Sequence, residues 1–277
     1  MSRSLASLLP GSVKRLAKGL IGAFPSRLIP GKGAFEHTTG ATRRRIRFEL
    51  WRDPEALLQL RVVRQLVAND RASHFFSRNT LRKTEGGKEV ARGTIEHNLD
   101  GARRAADYDR PMLMANVACA IEKVRRNIDR MDVLSIGPRS EIELFALRAV
   151  GFSWEHIKAM DLLAYSPYVQ TGDVHAIPFP DNSFDVLFLG WVLAYSKDQG
   201  KAISEVIRVL RPGGIAVVAS DYSSDETHTR NVVDSTHMQT SEQMLALFGD
   251  HVRYVYFRHD PQMPDIHMIM VAVEIKK

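Results

Sequence analysis

Short apolar runs and segments of helical period alternate along the chain from residue 131 onward. Short apolar runs predict buried strands, and segments with apolar residues three or four apart predict amphipathic helices. The predicted strands are 131–137, 156–163, 184–193 and 214–220, and the predicted helices are 140–151 and 198–214. This alternation predicts an α/β fold with a parallel, doubly wound sheet, whose ligands bind beyond the carboxyl ends of the strands.

The C-terminal part of the sequence departs from this alternation. Residues 251–260 and 266–277 are strand-like runs with only Pro-Gln-Met-Pro-Asp between them, so they predict an antiparallel hairpin at one sheet edge. Pro212–Gly214 predicts a turn that ends the preceding helix before the strand at 214–220 begins.

The sequence before residue 131 predicts helices joined by a polar segment. Asp53 as N-cap and Pro54 at the first helical position start an amphipathic helix that runs to about residue 70. Residues 111–128 predict a second helix that leads into the first strand. The polar, glycine-containing stretch between them predicts loop with short helical pieces.

The formal net charge of +6 is concentrated in the first fifty residues. Residues 1–50 contain ten Lys or Arg against two Glu, a net of +8, so the remaining residues sum to −2. Nucleic acid is therefore not the expected partner of the main body of the chain. Two roles stay open for the basic N-terminal arm 1–50. It contacts an anionic membrane surface, or it is a solvated tail or an arm packed on the body or on another subunit.

Cysteine content and hydropathy bear on the cellular context. Cys119 is the single cysteine, so no intramolecular disulfide is expected, and its apolar neighbours predict a buried side chain rather than a nucleophile. The sequence shows neither the apolar core of a signal peptide nor a run long enough to span a bilayer. These features favour a cytoplasmic protein, with peripheral contact at the inner face of a membrane as an open addition.

Two segments carry a resemblance to a known family. They are residues 172–195, GDVHAIPFPDNSFDVLFLGWVLAY, and residues 205–220, EVIRVLRPGGIAVVAS. Together they resemble the small-molecule class I S-adenosylmethionine (SAM) dependent methyltransferases of the methyltransferase-domain-11 kind. The resemblance covers about residues 131–220 in order and spacing. It implies a Rossmann-like, doubly wound sheet of seven strands, mostly parallel with a C-terminal antiparallel hairpin, preceded by N-terminal helices.

The resemblance also implies a division of the chain. The basic arm 1–50 comes first, and a helical region, 51–130, follows as a substrate cap or a packing element. Residues 131–277 then form the SAM-binding methyltransferase domain.

The turn after the first strand departs from the family's pattern. The family's acidic-x-Gly-x-Gly-x-Gly positions fall here on Ser135, Gly137, Arg139 and Glu141, so only one glycine is kept. We predict that Gly137 still permits close backbone approach to the cofactor. Arg139 is predicted to pair with the SAM carboxylate and Glu141 with its ammonium group. The alternative is that both are solvated residues on the first helical turn.

The resemblance places the other cofactor contacts after the later strands. Asp161, at the end of the second strand, is expected to accept hydrogen bonds from both ribose hydroxyls. Asp173 is expected to accept from the adenine amino group, with Val174 offering its backbone N–H. The alternative for both carboxylates is a turn or cap role. Further cofactor contacts are predicted at Leu162, Gly190 and Trp191.

The loop after the fourth strand borders the acceptor in this family. Here it lacks the Pro-Pro-aromatic motif of enzymes that methylate exocyclic base amines, so direct base methylation is not expected. The leading interpretation is an O-methyltransferase acting on a hydroxyl of a small molecule or saccharide. A hydroxyl acceptor needs a base, and the candidates are His175, Asp221 and His228, each also open to a surface or structural role. No ligand spacing supports a metal site.

Two other functional classes stay open. The altered glycine turn favours a non-catalytic SAM-fold binding or scaffold protein. The basic arm suits an RNA-directed methyltransferase that uses it for phosphate contacts. The identity of the acceptor and the oligomeric state are not predicted.

Overall fold

A computed structural model describes part of the chain. The described residues are 41, 58, 59, 64, 110–138, 141–162, 168–196, 198–221, 238, 240–261 and 268–277. The predicted arm 1–50 and the helix predicted from Asp53 lie almost entirely outside these residues.

Seven strands form the centre of the described part. They are β1 Val133–Ile136, β2 Ile157–Asp161, β3 Gln170–Thr171, β4 Phe184–Gly190, β5 Leu210–Asp221, β6 Val252–His259 and β7 Met268–Ile275. Their order in the sheet is β3-β2-β1-β4-β5-β7-β6. The first five strands pair in parallel, whereas β7 is antiparallel to both β5 and β6. The predicted seven-stranded, mostly parallel sheet with a C-terminal antiparallel hairpin is confirmed.

Helices cover both faces of this sheet. They are α1 Arg110–Ala120, α2 Glu122–Asn127, α3 Glu141–Val150, α4 Gln199–Val209 and α5 Ser241–Ala246. Apolar residues of α1 and α2 pack with Leu147 of α3 against one face. The opposite face packs against α4 and α5. Burial on both faces explains why β1 and β4 are almost uniformly apolar in sequence rather than alternating.

The helix predicted over residues 111–128 is two helices. Ile121 interrupts it with an extended backbone, φ −81° and ψ 117°. Its side chain is buried and packs in the same core cluster as Ala118 and Val124. The apolar spacing therefore continues across the break, which is why periodicity alone predicts one helix.

The Pro-Gly-Gly segment is part of a strand rather than a turn before it. β5 begins at Leu210, which pairs with Phe184, and the next paired residues are Val186 and Ile215. A step of two residues on β4 thus faces a step of five on β5. The extra residues bulge out, which suits Pro212, with no N–H to donate, and Gly213, whose φ is +76°.

A charged network lies at the amino end of β1. The Asp132 carboxylate contacts His156 Nδ1 at 2.8 Å and accepts from Arg211 Nη2 at 2.8 Å. Arg211 Nη1 also donates to Asp185 Oδ2 at 2.6 Å. Burial alone would raise the pKa of Asp132, but the hydrogen bonds from His156 and Arg211 and their charges outweigh it and hold that pKa below its usual value.

The lowered pKa of Asp132 predicts a pH-dependent contribution to stability. A carboxyl whose pKa is lower in the folded state contributes above its unfolded pKa of about 3.9, and the contribution is lost as pH falls through the folded pKa. The free energy of unfolding should therefore differ most between wild type and Asp132→Asn above about pH 5. The difference should shrink below about pH 4. Urea unfolding over this pH range measures it, with Asp129→Asn as a control for loss of an exposed charge. A constant difference at all pH values would contradict the prediction.

Candidate functional site

Three of the predicted site residues lie in a row at the carboxyl ends of β1, β2 and β3. The N–H of Gly137, directly after β1, donates to the carbonyl of Met160 in β2 at 2.9 Å. Asp161 is the last residue of β2, and its carbonyl accepts from the N–H of Gly172 at 2.9 Å. Asp173 follows immediately. The row borders the position where the order of strands reverses between β1 and β4, where ligands of doubly wound folds bind.

Any residue other than glycine at position 137 would force the surrounding structure to rearrange. Its φ is +76°, and a Cβ added there would lie 2.1 Å from Cγ2 of Val192 in the loop after β4. Both the backbone conformation and the packing therefore require a residue without a side chain at this position. This contact joins the loops that follow β1 and β4.

The first and last positions of the predicted glycine turn are buried. Ser135 lies within β1, between Ala159 of β2 and Phe188 of β4, and is 3% exposed. Glu141 begins α3 and is 4% exposed, so the solvated alternative is wrong for this residue. A carboxylate in the first turn of a helix is favoured by the helix dipole. Arg139 lies outside the described residues.

A chain of hydrogen bonds links Asp173 to the loop after β4. Asp173 Oδ1 accepts from the backbone N–H of His175 at 2.9 Å and lies 2.5 Å from its Nδ1. His175 Nε2 is 2.7 Å from Oγ of Ser196. The Oγ of Ser196 also accepts from the N–H of Asp198 at 3.2 Å, and Asp198 caps the first turn of α4.

The segment 173–181, which connects β3 to β4, is attached to α4 at its other end. The N–H of Ile177 donates to Glu205 Oε2 at 2.9 Å, and its carbonyl accepts from Arg208 Nη2 at 2.8 Å. Arg208 also donates to the carbonyl of Phe179 and to the Asp181 carboxylate. Hydrogen bonds from Arg208 hold the pKa of Glu205 below its usual value, and this ion pair raises the pKa of Arg208 in turn. The segment 173–181 is thus held at both ends.

The loop after β4 begins with an unusual backbone conformation. Trp191 has φ +59°, which is rare for a bulky residue, and its N–H donates to the carbonyl of Ala219 at 2.8 Å. Its ring packs against the core under α1, and the guanidinium of Arg110 lies 4.7 Å from the ring centroid. Tyr195, in contrast, is 40% exposed. Of the two aromatic residues in this loop, the more exposed one is therefore Tyr195.

The remaining predicted residues have varied surroundings. Leu162 follows Asp161 and is exposed, whereas Val174 is buried. Gly190 ends β4, where an added Cβ would lie 3.2 Å from Sδ of Met114. The backbone of Asp221 ends β5, opposite Met268. His228 lies outside the described residues.

Sequence reasoning missed four residues that shape this site. Val192 and Ser196 have no local signal, because their partners Gly137 and His175 are distant in sequence. Glu205 and Arg208 form a pair three residues apart on α4, a spacing that places them on one helix face. That spacing could have predicted the ion pair, but it does not indicate that the pair binds the segment 173–181.

Among the described residues, neither a cluster of metal-ligating side chains nor a reactive cysteine is found. Within residues 110–138, 141–162 and the later described segments, no three His, Cys, Asp or Glu residues cluster to hold a metal ion. Cys119 is partly buried on α1, and burial raises the pKa of its thiol to about 11. The thiol therefore stays protonated at neutral pH, as expected for a packing residue. No helix in the described residues is long and apolar enough to cross a membrane.

Part of the chain matches a known protein family. Residues 147–218, from the end of α3 through most of β5, match the family described as the methyltransferase domain. This match agrees with the resemblance of residues 131–220 to the class I SAM-dependent methyltransferases.

Curated relatives of this methyltransferase domain match over part of their length. Demethylmenaquinone methyltransferase of Desulfitobacterium hafniense is 32% identical over 112 residues, which is 38% of this chain and 41% of the relative. Malonyl-(acyl-carrier protein) O-methyltransferase of Yersinia pestis is 28% identical over 37% of this chain and 42% of the relative. The chain thus spans about two fifths of these relatives.

A solved methyltransferase is also similar. It is the 1,6-didemethyltoxoflavin-N1-methyltransferase of Burkholderia thailandensis, crystallised with S-adenosylhomocysteine. Its sequence is 15% identical, its TM-score is 0.49, and the match covers 66% of this chain and 86% of that one.

Proposed function

We propose that this protein binds SAM and transfers its methyl group to a small-molecule acceptor. The observation that supports this most is the row of Gly137, Asp161 and Asp173 at adjacent strand ends, the last two of them within the segment that matches the methyltransferase domain. We further propose that the catalytic unit extends from residue 110, rather than 131, to 277. Helices α1 and α2 supply much of the core on one face of the sheet.

The residues at the strand ends fit the chemistry of SAM. The Asp161 carboxylate suits the paired ribose hydroxyls, and the Asp173 carboxylate suits an amino group, since ionised carboxylates are strong hydrogen-bond acceptors. Leu162, exposed directly after Asp161, offers an apolar surface to a planar ring. SAM, when bound, supplies an electrophilic methyl group on a sulfonium. The protein's own task is then to hold and orient the cofactor and the acceptor.

The chemical class of acceptor is a finer proposal. We favour a hydroxyl of a small molecule or saccharide, although of the two curated relatives reported above only the Yersinia pestis enzyme is named an O-methyltransferase. A hydroxyl acceptor requires a base near the methyl group. Asp221, at the end of β5 and two residues beyond the partner of Gly190, is our candidate. His228 remains a prediction for the same role.

Cellular placement is proposed from the sequence alone. We propose a cytoplasmic protein whose arm 1–50 contacts anionic membrane surfaces. The non-catalytic and RNA-directed alternatives are distinguished by the assay with labelled SAM described next.

The proposal is tested with labelled SAM and matched panels of hydroxyl, amine and carbon-nucleophile acceptors. We expect label transfer to one or more hydroxyl compounds. Transfer only to amines or carbon acceptors would overturn the choice of acceptor and leave methyl transfer intact. SAM binding without transfer to any acceptor would favour the scaffold alternative, and transfer to RNA the nucleic-acid alternative.

A further inference from the structure

The outer edge of the sheet, at β6, carries exposed aromatic side chains. No strand among the described residues pairs with this edge. Tyr254, Val255 and Tyr256 are all exposed there, Tyr254 to 58%, whereas the neighbouring β7 is buried almost throughout. Single exposed apolar residues are ordinary on a protein surface, but adjacent ones on an unpaired sheet edge indicate a contact surface.

Both faces of the first half of β6 are open to solvent. Arg253, Tyr254, Val255 and Tyr256 are exposed in succession, although successive side chains of a strand point to opposite faces. The two tyrosines are held in place, because their ring centroids are 4.7 Å apart and the Tyr256 hydroxyl donates to Glu274 Oε2 at 2.6 Å. Tyrosines that are already fixed lose little conformational entropy on contact, and tyrosine is enriched in protein–protein interfaces.

The charged side chains around these tyrosines have both signs. Arg253 and Arg258 are basic and exposed. Asp250, directly before β6, and Glu242 of α5 are acidic and exposed. A partner of one charge sign, such as a nucleic acid or an anionic lipid surface, would therefore meet like charges along this edge. A partner that presents both signs in the opposite order is complementary to it.

A second copy of this chain presents that opposite order. Asp250 and Arg258 lie four residues before and four residues after Tyr254. A two-fold axis at Tyr254 runs two β6 strands antiparallel, so Asp250 of each copy faces Arg258 of the other and the two Tyr254 side chains meet. Such contacts, in which one patch meets itself, form the commonest class of symmetric oligomer.

The backbone of β6 limits how two copies can meet. In its pairing with β7, β6 has one extra residue after Val252 and another after Val255. Bulges of this kind twist an edge strand and disfavour a long hydrogen-bonded ladder with another strand. The contact must therefore rest mainly on side chains, which predicts a small interface and a weak dimer.

We infer that two copies of this protein associate through β6 about a two-fold axis at Tyr254. The tyrosines form the centre of the contact, and Asp250 and Arg258 pair at each end. Tyr254 lies near the start of β6, at the opposite end of the sheet from the strand ends that carry Gly137 and Asp161. The dimer therefore leaves the candidate SAM site open, and the inference does not depend on SAM binding.

Sedimentation velocity of the wild-type chain over about a hundredfold range of concentration tests for the dimer by mass action. We expect a reversible monomer–dimer equilibrium. Asp250→Arg and Arg258→Asp should each raise the dimer dissociation constant at least tenfold, because each creates two like-charge pairs in the symmetric dimer. Glu155→Arg, which reverses an exposed charge before β2, should leave the constant unchanged.

Mixing the two charge-reversed variants makes the test specific to this two-fold contact. In a dimer of one Asp250→Arg copy and one Arg258→Asp copy, opposite charges face each other at both ends. An equimolar mixture should therefore dimerise nearly as strongly as the wild type, although neither variant does so alone.

A cysteine on the proposed axis covers the case in which a charge reversal does not fold. Tyr254→Cys changes an exposed residue and places two thiols opposite each other in the dimer, so mild oxidation should link them. Cys119 does not compete, because burial raises the pKa of its thiol to about 11. Glu155→Cys, at an exposed position far from β6, should give no covalent dimer.

Three results would overturn the inference. A wild type that stays monomeric at every concentration would leave the β6 edge to another protein or to the arm 1–50. A dimer that neither charge reversal weakens, or that the mixture of variants does not restore, would form through a different surface.

Discussion

Replacing Gly137 by alanine is expected to destabilise the fold by about 2–5 kcal/mol and to lower Tm by roughly 5–15 °C. Two effects combine. A non-glycine residue at φ +76° costs about 1–2 kcal/mol, and the added Cβ would lie 2.1 Å from Cγ2 of Val192. Thermal and urea unfolding measure the sum.

Two further variants separate these effects. Gly249 also has a positive φ, +53°, but an added Cβ there meets nothing within 4 Å. Gly249→Ala should therefore show only the backbone cost. In the Gly137→Ala background, Val192→Ala removes the clashing methyl and leaves the nearest Val192 atom, Cβ, 3.6 Å away. The double variant should regain the packing part of the loss. If Gly137→Ala lowers the free energy of unfolding no more than Gly249→Ala does, a side chain at position 137 does not clash with Val192.

Removing the Asp161 carboxylate is expected to weaken binding of SAM and S-adenosylhomocysteine alike by at least tenfold. A hydrogen bond to a charged group contributes about 1.5–3 kcal/mol, and about 1.4 kcal/mol corresponds to one decade in affinity. Asp161→Asn should weaken binding less than Asp161→Ala, because it keeps one acceptor oxygen. Since Asp161 lies at a strand end and is only partly buried, neither change should unfold the protein.

Matched controls make the Asp161 result specific. Asp250→Ala removes an exposed carboxylate before β6, at the opposite end of the sheet from the site, and should leave affinity unchanged. Near-wild-type Tm values for all three variants would exclude unfolding as the cause. Equal affinities for wild type and Asp161→Ala would remove Asp161 from the site.

Much of the fold was predictable because its signals are local. Each parallel strand is a short apolar run, and α4 shows its apolar face and its Asp198 cap in the sequence itself. The hairpin of β6 and β7 followed from the lack of a helix between two strand-like runs. Each pattern lies within the sequence of one element, so it is recognised without knowing which other elements pack against it.

The errors arose where the backbone departs from the local pattern. Ile121 remains apolar and buried while its backbone becomes extended, so the helix break has no signature in hydropathy. The segment from Arg211 to Gly214 has the composition of a turn, yet pairing of Leu210 with Phe184 keeps it within β5. In both cases a tertiary contact decides the local structure.

The candidate site likewise has residues that could be predicted from the sequence and supporting contacts that could not. The resemblance supplied Gly137, Asp161 and Asp173, and the structure places them at adjacent strand ends. Their supporting contacts come from Val192 and Ser196, residues distant in sequence that share no motif with their partners. Composition and periodicity carry no information on such pairs, so only the folded chain reveals them.

The most direct test of SAM binding is a calorimetric titration of S-adenosylhomocysteine into the wild-type protein. We expect saturable binding with one ligand per chain. The same titration into Asp161→Ala should give an affinity at least tenfold lower at an unchanged Tm. A well-folded wild type that gives no saturable binding would contradict the assignment of the strand ends as a SAM site.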